Sequence, residues 1–186
     1  RFIWELAVQK LARWQQEGHS DLYISVNIST KDFYYMNVYE TITALVEKYR
    51  IIPSTLKLEI TETAIMTGTA GELDMIEQFR EYGFQVEIDD FGSGYSSFNT
   101  LKDMDVDVLK IDMGFLRTSK PENLEKSMSI LNMIISLSKT LGLSVVTEGV
   151  ETKEQVVKLS QMGCGIYQGY YFSKPIPVEE FEKRYM

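Results

Sequence analysis

The chain has 186 residues, of which 44% are hydrophobic and 25% charged, enough for one domain with an apolar core. Its formal net charge of −8, without a Lys/Arg stripe, excludes a surface built to grip duplex DNA or RNA. One histidine and one cysteine exclude an internal disulfide and a zinc site of the usual ligand type. No apolar run of about 18 residues and no secretory signal pattern occurs, so a soluble, cytoplasmic domain is expected, with no direct membrane insertion.

The chain opens inside a helical pattern that Gly18 ends; His19, just beyond it, reads as a surface loop residue. A strand follows at Leu22–Ser29. Val38, Ile42, Leu45, Val46 and Tyr49 then share one face of a helix, and Pro53 closes that segment ahead of a strand at Leu56–Thr61. A further helix ends at Gly83, before a strand at Phe84–Asp89. Beyond a strand at Val108–Asp112, Leu124, Met128, Leu131, Ile135 and Leu141 mark the apolar face of another helix. Gly142 precedes a strand at Leu143–Glu148, and Gly163 one at Ile166–Phe172. Glycine just past a helix takes the left-handed conformation without a steric penalty and turns the chain. Alternating helices and strands of these lengths imply parallel strands with helical crossovers.

Within the strands apolar and polar residues alternate. Ile24, Val26 and Ile28 alternate with Ser25 and Asn27; Leu58 and Ile60 with Lys57, Glu59 and Thr61; Val86 and Ile88 with Glu87 and Asp89; Leu109 and Ile111 with Lys110 and Asp112. A doubly wound sheet covered on both faces would show near-continuous apolar runs instead. Apolar residues toward helices and polar ones inward suit a barrel, whose chemistry sits at the C-terminal ends of its strands. Asn27, Glu59, Asp89, Lys110, Glu148 and Gln168 fall there. Glu59, Asp89, Asp90 and Glu148, with the Asn27 amide oxygen, are hard donors suited to Mg²⁺ or Mn²⁺. Two such ions about 3.5–4 Å apart can activate water and stabilise the leaving oxygen of a phosphodiester, with Lys110 orienting that water or neutralising charge that develops on phosphorus. The bland alternative is a set of ordinary strand-end polar residues. Glu87, inward by parity, is expected to be a solvated acid of the barrel interior, or else a partner for Lys57 or Lys110.

The stretches Val26-Asn27-Ile28-Ser29, Leu58-Glu59-Ile60-Thr61-Glu62, Asp89-Asp90-Phe91-Gly92-Ser93-Gly94-Tyr95-Ser96-Ser97, Leu109-Lys110-Ile111-Asp112, Glu148-Gly149-Val150-Glu151 and Gln168-Gly169-Tyr170 resemble, in order, the signature blocks of the EAL domain family. The resemblance covers essentially the whole chain. It implies a TIM-type (β/α)8 barrel of the α/β class and hydrolysis of cyclic di-GMP to linear pGpG. It also implies two Mg²⁺ or Mn²⁺ ions, with calcium inhibiting, and a homodimer. By resemblance, Asn27, Glu59 and Asp89 are ligands of the first metal and Asp90 of the second. Glu148 matches an acid that acts as base or ligand, and Lys110 the lysine that contacts the attacking water. Asp112 and Gln168 are supporting hydrogen-bond partners. The loop Phe91–Ser97 resembles a segment coupling dimerisation to metal binding, with Glu62 anchoring it and Glu151 near it. Phe172 and Pro175 read either as a segment near a guanine or as an apolar wall. Thr147 and Gly165 depart from the commonest family residues without touching a ligand position.

The Glu-Ala-Leu triplet that names the family does not occur in the chain, and about six of eight strands can be counted. In the family the triplet supplies a metal ligand from a strand before the helix that opens here. The expectation is one EAL domain over residues 1–186 lacking its first two strands, with impaired catalysis and exposed sheet edges. A fragment of a longer protein, a dimer in which a partner copy covers those edges, and a naturally short chain all account for this. Members of the family often carry a sensory or diguanylate cyclase domain upstream, which the resemblance allows for a parent protein. The competing function is a non-catalytic cyclic di-GMP receptor that signals through a partner.

Overall fold

The computed structural model describes residues 2–67, 70–92, 106–112, 114 and 121–186. The chain divides into two compact units, Arg1–Val108 and Leu109–Met186.

The first unit runs α1 (Phe2–Gln16), β1 (Ile24–Ile28), α2 (Thr30–Tyr35), α3 (Val38–Tyr49), a single 3₁₀ turn at Pro53–Thr55, β2 (Leu56–Thr61), α4 (Glu62–Thr67), α5 (Ala70–Tyr82) and β3 (Gln85–Phe91). β1 pairs in parallel with β2, and β2 with β3. The alternation read from the sequence is the alternation observed. Val26, Ile28, Leu56, Leu58, Ile60, Val86 and Ile88 are all buried, as are Trp4, Val8, Leu11 and Trp14 on α1 and Val38, Ile42, Leu45 and Val46 on α3. Burying side chains of this size is worth roughly 1.5–3 kcal/mol each before the entropy of ordering them is subtracted. Trp4 fixes α1 to the sheet by donating its indole N–H to the Asn27 carbonyl at 3.0 Å. Tyr39, Phe79, Tyr82 and Phe84 pack ring to ring between α3, α5 and the start of β3. Asp107 secures β3 from its far side: one carboxylate oxygen takes Arg80 and the other the Val86 N–H.

Two short helices of this unit went unread in the sequence. α2 has a visible signal, a capping box in which Ser29 accepts from the Asp32 N–H and Asp32 accepts from the Ser29 N–H. α4 starts without a break at the end of β2, where Glu62 lies in the first turn.

The second unit, whose first strand begins at the boundary, runs β4 (Val108–Ile111), α6 (Pro121–Thr140), β5 (Ser144–Thr147), α7 (Lys153–Gln161), β6 (Ile166–Tyr167) and α8 (Val178–Tyr185). β5 and β6 are parallel. Leu131, Ile134 and Ile135 are buried on α6, Leu159 on α7, and Val145 and Val146 on β5. Thr147 is fully buried, and its hydroxyl lies 3.1 Å from the Cys164 thiol. All four helix-ending glycines, Gly18, Gly83, Gly142 and Gly163, have positive φ.

Two expectations fail here. Leu141 lies past the end of α6 and is 37% exposed; Ser138, buried and bonded to the Ile134 carbonyl, takes the place on the apolar face. The step from Ile135 to Leu141 is six residues, and helical neighbours are three or four apart. The last strand stops at Tyr167 instead of reaching Phe172. A Cβ on Gly169 would lie 2.2 Å from the Val150 carbonyl oxygen, so the chain turns against Val150 there instead of extending. Gln168 and Tyr171 donate their N–H groups to the Thr147 and Val150 carbonyls, and Val150 donates to Gln168.

Candidate metal and phosphodiesterase site

In the first unit the polar face is organised by register. Asn27 lies opposite Glu59, Glu59 opposite Glu87, and Thr61 opposite Asp89. Partners in a parallel ladder point to the same face, and strands lie about 4.8 Å apart, so the Asn27 amide and the Glu59 carboxylate leave the sheet on one face from neighbouring strands. Asn27 is exposed, Glu59 buried and Asp89 half-buried. Asp90 is exposed and has a left-handed backbone with φ of 56°. A non-glycine residue in that region is a local strain, most easily borne by Asp or Asn, and such residues gather at functional sites. Just beyond it, the Gly92 N–H donates to the Glu62 carboxylate at 2.7 Å. Glu62 is 3% exposed, so a buried charge on α4 pins the end of β3. Residues 93–97 of the loop read from the sequence lie outside the described residues.

Of the two readings of Glu87, the partner for Lys57 holds and the solvated acid does not. It is 3% exposed and not a solvated acid: Lys57 donates to one of its oxygens and Ser25 to the other, each at 3.1 Å. Both partners sit two residues earlier in the strand pattern on the same face, so the signal was parity, which places Ser25, Lys57 and Glu87 together.

In the second unit Lys110 and Glu148 meet directly, with Nζ 2.9 Å from the carboxylate, and Lys110 is buried. The Glu148 N–H donates to the Ile111 carbonyl, which ties the end of β5 to the end of β4. Asp112 accepts the Gly114 N–H. Gln168 is exposed at the end of β6, with its backbone held as described above. The exposed Phe172 ring stacks on Tyr167 with centroids 6.0 Å apart and planes at 13°. Pro175 is exposed, and so is Glu151, whose N–H is taken by the Gln155 side chain at the start of α7. No helix among the described residues is long and apolar enough to cross a membrane.

The donors fit a hard divalent ion. They are amide and carboxylate oxygens at strand ends, and the neighbouring Glu87 charge is already matched by Lys57.

The chain matches the EAL domain family over residues 1–175. It is 32% identical to the cyclic di-GMP phosphodiesterase RocR of Pseudomonas aeruginosa over 183 residues, which is 97% of this chain and 46% of that protein. Among solved structures it is similar to the PaMucR phosphodiesterase in complex with c-di-GMP, with a TM-score of 0.89 and 33% identity over 97% of this chain and 72% of that one. It also resembles the manganese/cy-diGMP complex of BlrP1 from Klebsiella pneumoniae, with a TM-score of 0.81 and 26% identity over 94% of this chain and 44% of that one. The chain spans 22% to 46% of the length of the curated relatives most similar to it. The architecture is accordingly α/β of the TIM-barrel type, with six strands among the described residues. A family match over nearly its whole length, joined to strands that carry the signature residues at their ends, makes this chain a member of the EAL domain family.

Proposed function

We propose that these residues form the catalytic domain of a cytoplasmic, homodimeric phosphodiesterase that opens cyclic di-GMP to linear pGpG with two Mg²⁺ or Mn²⁺ ions. The observation that carries the reading is the parallel register that sets Asn27 beside Glu59 on the strand next to Asp89. Asn27, Glu59 and Asp89 hold the first ion and Asp90 the second. The ions, when bound, supply a water of lowered pKa and positive charge at the phosphoryl oxygens.

The chain's own residues do the rest. Lys110 orients the attacking water, and Glu148, ion-paired to Lys110 at 2.9 Å, acts as base or ligand. That water gives up a proton as it adds to one phosphorus, the bond from phosphorus to the 3′ oxygen breaks, and the freed oxygen takes up a proton, leaving a 5′-phosphate and a 3′-hydroxyl. Asp112 and Gln168 support the rim by hydrogen bonding, and Phe172 and Pro175 border a guanine. Glu62, which holds the Gly92 N–H, anchors the loop that follows, with Glu151 close to it. The 186 residues contain no Glu-Ala-Leu triplet, so we place residues 1–186 as an EAL domain without its first two strands, impaired when it acts by itself. A sensory or diguanylate cyclase domain upstream supplies the input.

The test uses the natural protein that contains these residues, supplied with Mn²⁺ and cyclic di-GMP, with pGpG measured by chromatography. Asp89→Asn or Glu59→Gln should lower turnover by at least about a hundredfold, since even residues that only support ligands are worth 10–100-fold. Unchanged turnover overturns the assignment. Tight nucleotide binding without product turns the reading into that of a receptor.

A further inference from the structure

The polar face of β1, β2 and β3 is layered. Ser25, Lys57 and Gln85 form one rung; Asn27, Glu59 and Glu87 the next; Thr61 and Asp89 the one above. Glu87 therefore shares a rung with two of the proposed metal donors and stands two residues before a third. By type and place it is a ligand in waiting, yet both of its oxygens are engaged from the rung below. Ser25 Oγ donates to one and Lys57 Nζ to the other, each at 3.1 Å. The Lys57 side chain is 13% exposed, and its ammonium lies 3.9 Å from the centre of the Tyr23 ring, so the cation is held as well as the carboxylate. A buried ion pair contributes little net stability against an apolar pair of the same volume, so stability alone is a weak reason for it.

We infer that Ser25 and Lys57 clasp Glu87 away from the metal layer, so that Lys57 is a positioning residue that sets how many carboxylates the layer offers to divalent ions. The inference rests on the proposed metal site. Mg²⁺ keeps much of its water and takes few protein ligands, whereas Ca²⁺ takes six to eight oxygens. A clasped Glu87 favours the smaller ion. A released one adds a donor and favours the larger.

Mn²⁺ binding to the natural protein, followed by the electron paramagnetic resonance of free Mn²⁺ and by competition with Mg²⁺ and Ca²⁺, tests this without reference to turnover. Lys57→Met should tighten Mn²⁺ by about tenfold, the size expected of one nearby unit charge, and should favour Ca²⁺ over Mg²⁺. Glu87→Gln leaves the ammonium unmatched and should loosen Mn²⁺ by about tenfold. The double variant should return to within about threefold of the parent. Single variants that shift affinity in the same direction, or not at all, overturn the inference, because a merely structural pair has no reason to give opposite signs. Urea unfolding of the same proteins identifies any variant that has lost its fold. In that case Lys57→Glu combined with Glu87→Lys decides: the pair is kept but an ammonium enters the donor rung, so Mn²⁺ must loosen, and an unchanged affinity overturns the clasp. Asp89→Asn is the control. If it leaves Mn²⁺ binding intact, the metal-site reading itself falls; if it abolishes binding while Lys57→Met does nothing, only the clasp falls.

Discussion

The two units position their polar groups by different means. In the first, Asn27, Glu59, Glu87 and Asp89 are set by a continuous parallel ladder, Ile24–Ile28 against Leu56–Ile60 and Lys57–Thr61 against Gln85–Asp89. In the second the β5–β6 ladder is limited to Val146 with Ile166 and Thr147 with Tyr167, and loop backbone does the placing. Val150, Gln168 and Tyr171 are held by N–H to carbonyl bonds around Gly169, and Glu148 by its N–H to the Ile111 carbonyl. A ladder spreads a perturbation over many rungs, while a loop fixed by close approach concentrates it at one atom. The first unit should thus tolerate side-chain changes that leave its register intact, and the second should fail at one glycine.

Gly169→Ala tests this most severely. The new methyl would overlap the Val150 backbone, so the turn must open, and the expected loss is about 3 kcal/mol or more in urea unfolding. A variant as stable as the parent would refute the account of why β6 ends at Tyr167. Glu62→Ala probes the side-chain anchor at the end of β3. Losing the bond from the half-buried Gly92 N–H to a buried carboxylate should cost about 2 kcal/mol and speed amide exchange at Gly92, with the β1–β2 amides unaffected. Faster exchange throughout the sheet would mean that the ladder is less self-sufficient than its register suggests.

The smallest effect concerns α7. Glu154 is held below its usual carboxylate pKa of 4.5, first by its own backbone N–H and then by the Thr152 hydroxyl. A lowered folded-state pKa stabilises the fold above pH 4.5, and that contribution is lost as the pH falls through the folded value. Glu154→Gln should make the acid limb of the stability curve slightly shallower below pH 4.5, as read by thermal unfolding across pH. A steeper limb would reverse the sign and remove the helix-start interaction.

The alternation of Val26, Leu58 and Val86 with Asn27, Glu59 and Glu87 was legible because a period of two needs only sequence to be seen. So were the glycines that close the helices, since each marks a left-handed turn. The direct contact of Lys110 with Glu148 was not legible, because it depends on how two strands pair and not on the spacing within either. The choice between the two readings of Glu87 was hidden for a related reason: parity gave its face, but the diagonal reach of Lys57 from the rung below decides whether water gets there. The early end of β6 was hidden as well. Gly169 looked like one glycine of a family block, and only the closeness of the Val150 backbone explains its need.

The pairing of Thr147 with Cys164 gives the second unit a built-in reporter. The chain's only thiol is 4% exposed and shares a hydrogen bond with a hydroxyl that is itself sealed from solvent. A thiol-reactive dye can reach that sulfur only when the packing of β5 and β6 gives way. The rate of dye uptake by the folded protein therefore clocks how often this half of the molecule breathes, with no label or mutation needed.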